Sequence, residues 1–118
     1  VFILSELIVN KDMQSAFSYL RGLLDNGNNV LHLMSLITRH FRILYKLNIA
    51  DASRLDLNPY VLKQMQRQKG FFNETVLLDI LTACTLHQRY IKTGYMKDVT
   101  AIENLLATIG SLINANCN

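Results

Sequence analysis

The sequence predicts an all-helical bundle of about six helices, and three observations carry that prediction. Apolar residues recur at spacings of three and four between the glycines, the single proline and the Asn/Asp clusters, which is the period of a helix with one buried face. No stretch alternates apolar and polar residues long enough to argue for a strand. Half of the 118 residues are hydrophobic while the net charge is only +3, so the chain can fill a core and the disordered class is excluded. The length suits one domain of roughly 100–150 residues. No linker-like stretch or internal repeat divides it, so residues 1–118 read as a single helical domain. The chain opens inside an apolar pattern, Val1-Phe2-Ile3-Leu4, which predicts a fragment of a longer protein.

The first helix spans residues 1–9. The second runs over 12–24, with Asp12 as its N-cap, because a short oxygen side chain accepts from first-turn amides. Phe17, Leu20 and Leu24 share its inner face, and Gly27 supplies the left-handed residue that ends it. The third helix, 30–49, is the longest and is capped by Asn28 or Asn29. Its stripe is Val30, Leu33, Met34, Ile37, Phe41, Leu44 and Tyr45, with a second line through Leu36, Ile43 and Leu47. A helix apolar on nearly all sides belongs in the middle of a bundle. Residues 51–57 read as a loop. Asn58 caps the fourth helix, 59–69, and Pro59 fits its first position, where a missing N–H loses nothing. The fifth helix covers 73–93 with Asn73 as cap and Gly94 as stop. The sixth covers 99–114, is capped by Asp98 and leaves a frayed tail.

Catalytic chemistry finds no foothold. The acids Glu6, Asp12, Asp25, Asp51, Asp56, Glu74, Asp79, Asp98 and Glu103 are isolated, mostly at helix starts or in loops, where the helix dipole favours them. His32, His40 and His87 lack the i, i+4 pairing of a zinc protease and are expected on partly exposed faces. Cys84 lies on the buried stripe of the fifth helix with Leu77 and Leu81, the place of a small hydrophobe. Cys117 falls in the tail. Two cysteines make no disulfide framework, so a reducing, cytoplasmic setting is expected. No catalytic, metal or cofactor site, small-molecule substrate or membrane span is expected.

Two kinds of surface stand out. Arg39, Arg42 and Lys46 are three and four apart on one face of the third helix. Lys63, Gln64, Arg67 and Lys69 make the fourth helix basic and Gln-rich, and its Asn58-Pro59 entry resembles a helix-turn-helix turn. Such a helix reaches phosphates, although a pI near 9.0 is modest for nucleic-acid binding. DNA contact is therefore expected to be weak at most, with this helix as the alternative function. The apolar surface of the first and third helices and the pair Phe71-Phe72 suits a partner, and at least one of these phenylalanines is expected to pin the fourth helix to the fifth.

The order of several motifs resembles one known family, the C-terminal helical domain of the delta subunit of bacterial DNA polymerase III. Val1 to Asp12 resembles its entry helix and turn. Leu20-Arg21-Gly22-Leu23-Leu24-Asp25-Asn26-Gly27 resembles L-x-x-L-L-x-x-G. Arg39-His40-Phe41-Arg42 resembles R-Q-F-R with His in place of Gln, and Asn58-Pro59-Tyr60-Val61 resembles H-P-Y-V with Asn in place of His. Lys92-Thr93-Gly94 resembles K-T-G. The resemblance implies a collar-like module of the sliding-clamp loader, a non-catalytic assembly domain acting in DNA replication within a polymerase holoenzyme. Its implied partners are other loader subunits of the gamma/tau and delta-prime types. The subunit contact is expected at the end of the fifth helix, at Tyr90, Tyr95 and Met96, because aromatics and Met are enriched at interfaces.

Overall fold

A computed structural model describes residues 2–49 and 57–116, and these form six helices in the predicted order: α1 (Phe2–Val9), α2 (Met13–Asp25), α3 (Val30–Ile49), α4 (Pro59–Lys69), α5 (Glu74–Lys92) and α6 (Asp98–Asn116). The loop expected at 51–57, apart from Leu57, lies outside the described residues, as does Cys117.

The helix starts follow from short polar side chains. Asp12 accepts from the Ser15 amide at 3.2 Å, Asn29 from His32 at 3.1 Å, and Asn73 from Val76 at 2.8 Å. Each covers one of the first-turn N–H groups that lack an intrahelical partner. Asn29 is the cap of α3. Asn28 instead donates its side-chain amide to the Leu23 carbonyl at 2.8 Å and closes the end of α2. Asn58 accepts from Tyr60 at 2.8 Å and Pro59 opens α4. Asp98 corrects the reading made from its side chain. It is the first residue of α6, and the carbonyl of Lys97 receives the first helical bond, from Ala101 at 2.9 Å.

α5 lies between α3 and α6, and α6 also touches α1, α2 and α3, while α4 packs on α3. The core runs through every helix, with Leu4, Leu20, Phe41, Met65, Leu77 and Leu105 among its buried members. Phe72 is buried and meets Phe41 edge-on, with centroids 5.7 Å apart, whereas Phe71 is exposed. One phenylalanine thus closes the α4–α5 turn onto the core at α3, in place of the expected contact pinning α4 to α5. α3 is central but not apolar all round: Leu31, Ser35, Arg39, Arg42, Lys46 and Ile49 form an exposed stripe along it.

Polar side chains tie most of the seams. The Ser5 hydroxyl donates to Gln68 Oε1 at 3.1 Å, and His40 Nε2 donates to the same oxygen at 2.8 Å, so one amide joins α1, α3 and α4. Gln88 donates to the Thr38 hydroxyl at 3.3 Å across α3 and α5. His87 donates from Nδ1 to the Ala83 carbonyl at 2.7 Å, and its Nε2 lies 2.7 Å from Asn104 Oδ1 on α6. Arg21 pairs with Glu103 at 3.3 Å between α2 and α6. His40 and His87 are only 3% and 4% exposed, which corrects the expectation of partly exposed rings. Their nitrogens find partners inside the bundle, and that makes burial tolerable.

Candidate functional site: the outer faces of the bundle

Residues with candidate roles occupy three surfaces. The first is the end of α5. Lys92 and Thr93 close the helix, with the Thr93 amide donating to Arg89 at 2.9 Å, and Gly94 follows at φ 78°. The Gly94 amide returns to Ile91 at 3.1 Å and the Met96 amide to Tyr90 at 3.1 Å. Gly94 is the left-handed residue that lets the chain fold back over the helix end. Lys92 places a cation near the last carbonyls. The turn brings Tyr95 against Tyr90, with centroids 4.8 Å apart and the rings tilted by 48°, and Tyr90 in turn rests against the His87 ring at 5.3 Å. Tyr95 is 72% exposed, while Tyr90 and Met96 are half-buried. The three residues expected at the interface therefore form one knob. Gly94→Ala should lower stability by about 1 kcal/mol, because an L side chain pays that in the left-handed region. An unchanged urea midpoint would show that the turn can rebuild itself.

The second surface is the outside of α4. Lys63 and Lys69 are exposed, but the Arg67 guanidinium is held by Glu6 of α1 and by Gln64 at 2.9 Å. The proposed phosphate-binding set is thus split, with its arginine engaged by a carboxylate. Gln68, next in sequence, turns inward and is 2% exposed. Tyr60 of the Asn58-Pro59-Tyr60-Val61 motif is 71% exposed beside the cap.

The third surface is the outer face shared by α3 and α5. Thr38 meets Gln88, and both Thr38 and Arg42 act on Cys84. Residue numbers rise along α3 as they fall along α5, so the two helices are antiparallel. Cys84 itself is fully buried; burial raises its thiol to about 11, against a weaker downward pull from Thr38 and Arg42. At that value the thiol is neutral at pH 7 and unsuited to nucleophilic work. Phe41 of the Arg39-His40-Phe41-Arg42 motif belongs to the core, whereas Arg39 and Arg42 point out. A groove of about 540 Å³ runs along α5 past Thr82, Thr85, Leu86, Gln88, Arg89 and Lys92.

No three His, Cys, Asp or Glu side chains are placed to hold a metal ion among the described residues. No helix there is long and apolar enough to cross a membrane. The inward-facing network of Ser5, His40 and Gln68 escaped the sequence reading. Its signal was present, since His40 fills the gap in the line Leu36, Ile43, Leu47 and Gln68 follows Val61 and Met65 at helical spacing.

These features define a class: an all-helical bundle domain whose distinctive side chains are displayed on its outer faces. The family model described as DNA polymerase III delta subunit, C-terminal domain, matches residues 1–109, and the chain belongs to that family. The family is one of DNA replication and of the clamp loader, and its domain is a non-catalytic part of the replication subunit. No curated protein and no solved structure matched the chain.

Proposed function

We propose that this chain is the assembly module of a delta-type clamp-loader subunit, a single domain that binds other loader subunits and carries out no reaction itself. The family match over residues 1–109 carries the reading. Its partners would be the helical domains of gamma/tau-type and delta-prime-type subunits, met in the cytoplasm. The Tyr90–Tyr95–Met96 knob supports this, because an exposed aromatic braced by a second ring loses little freedom when it docks. A lasting contact needs about 1,200–2,000 Å² of total buried surface, more than the knob alone supplies, so further faces of the bundle take part.

The test is co-purification of the full-length parent subunit with the other loader subunits, with and without residues 1–118. Deletion should abolish assembly while the rest of the parent stays folded. Tyr95→Ala in the full parent should weaken association about tenfold or more, as expected of an aromatic anchor worth ~2 kcal/mol. Normal assembly of the deletion variant would end the proposal. The DNA-binding alternative is tested by Lys63→Glu with Lys69→Glu: a protein using these lysines would lose phosphate contacts and show a shallower salt dependence. The engagement of Arg67 by Glu6 speaks against it.

A further inference from the structure

We propose that the outer face shared by α3 and α5 seats an amphipathic helix from a neighbouring subunit, one whose apolar stripe is bordered by Asp and Glu. The inference rests on the assembly reading above and names the chemistry of the partner.

Charge is the first argument. α3 has no acidic residue, and α5 has acids only at Glu74 and Asp79 in its first half. Arg39, Arg42 and Lys46 are exposed along one helix, and Arg89 and Lys92 along the other. No ion-pair partner is found for these five cations among the described residues. Arg21 and Arg67 each meet a carboxylate from another helix, and Lys63, Lys69 and Lys97, also exposed outside this face, are lysines spread over two segments, whereas here five cations share one face. Like charges three and four apart on a helix repel one another. The free domain carries that repulsion, and a row of carboxylates laid across the face would relieve it.

Shape and apolar content are the second argument. Exposed aliphatic groups flank the cations along both helices. Leu31 and Ile49 stand at the two ends of α3, 40% and 53% exposed, and Leu78 and Leu86 stand on α5, 44% and 41% exposed. The groove along α5, lined by Thr82, Thr85, Leu86, Gln88, Arg89 and Lys92, offers a third helix a seat for its apolar stripe, with the exposed stripe of α3 beside it, the usual mode of helix-in-groove recognition. Small hydroxyl residues, Ser35, Thr82 and Thr85, line the same face and leave room for close approach. None of the exposed apolar groups here is aromatic, so the face lacks the stacking platforms with which single strands are bound. That favours a protein helix over a nucleic acid.

The experiment uses the full-length parent subunit in the assembled loader. A photo-crosslinking amino acid at position 85 reports what covers the face, and Arg42→Glu with Arg89→Glu tests the charges. Both positions are exposed, and helix content by circular dichroism checks the fold. The expected result is a crosslink to an acid-bordered amphipathic helix of another subunit. The double reversal should weaken association at least tenfold, and reversing the acids of the crosslinked helix should restore it. Three results overturn the inference while sparing the assembly function: a crosslink confined to the same chain, a crosslink to a segment without acids, or unchanged assembly by the double reversal while Tyr95→Ala dissociates. Loss of primer-template DNA binding with intact assembly would reassign the face to nucleic acid. If removal of residues 1–118 leaves assembly intact, the assembly reading itself fails.

Discussion

Replacing Gln68 with Leu should lower the stability of the domain by about 2–3 kcal/mol, read as a fall in the urea midpoint at unchanged slope. Gln68 Oε1 is the common acceptor for the Ser5 hydroxyl and His40 Nε2, and all three residues are 2–3% exposed. Leucine has a similar volume but no acceptor, so two buried donors lose their partner, each at about 1–3 kcal/mol. The loss is partly offset because Gln68 Nε2 is buried with no hydrogen-bond partner of its own, and leucine removes that group. The same reasoning predicts recovery. Ser5→Ala, His40→Leu and Gln68→Leu made together delete every member of the network, and the triple variant should regain most of the single variant's loss. A triple variant as weak as the single one would show that packing, and not hydrogen bonding, sets the energy of this seam.

Acid should weaken the same seam through His40. Burial pushes the imidazole down to about 4 from an ordinary 6.5, against the opposing pull of the Gln68 hydrogen bond. Between those two values the unfolded chain binds a proton that the folded chain refuses. Stability contributed by the neutral ring is therefore present above pH 6.5 and is lost as pH falls from 6.5 toward 4. At ~1.4 kcal/mol per pH unit the loss approaches about 2 kcal/mol by pH 5 and about 3 kcal/mol by pH 4. Denaturant melts of the parent domain and of the triple variant at pH 7, 6 and 5 provide the check. The triple variant should be flatter over this range, and equal slopes in the two proteins would remove His40 as the cause.

The helices were legible because their signals are local. The apolar lines of α3, the caps Asp12, Asn58 and Asn73, and the stops at Gly27 and Gly94 depend on residues a turn apart. The knob at the end of α5 was legible for the same reason, since Tyr90, Tyr95 and Met96 are joined by one turn. Partners distant in sequence were not. His40 reads as polar and outward until Gln68 arrives from α4, and His87 until Asn104 arrives from α6. Arg67 reads as a free cation until α1 brings Glu6 beside it. Asp98 was misplaced by one position, because a carboxylate serves a helix start both as a cap and as a first-turn residue.

The packing of α1 on α6 has a consequence for how the molecule is made. These two helices are the ends of the described bundle, and Leu4 and Ile8 of α1 are almost fully covered. A ribosome adds ~5–20 residues per second, so the roughly ninety residues from α1 to α6 take about 5–18 s to synthesise. Before α4 brings Gln68 to Ser5 and Arg67 to Glu6, α2 is the main cover of α1, joined to it by the tight turn in which Lys11 adopts φ 63° and Asp12 donates its amide to Leu7, and the α6 side of α1 stays open for the whole interval. The hairpin of α1 and α2 is thus a holding arrangement on the nascent chain, and the bundle closes only when its last helix emerges.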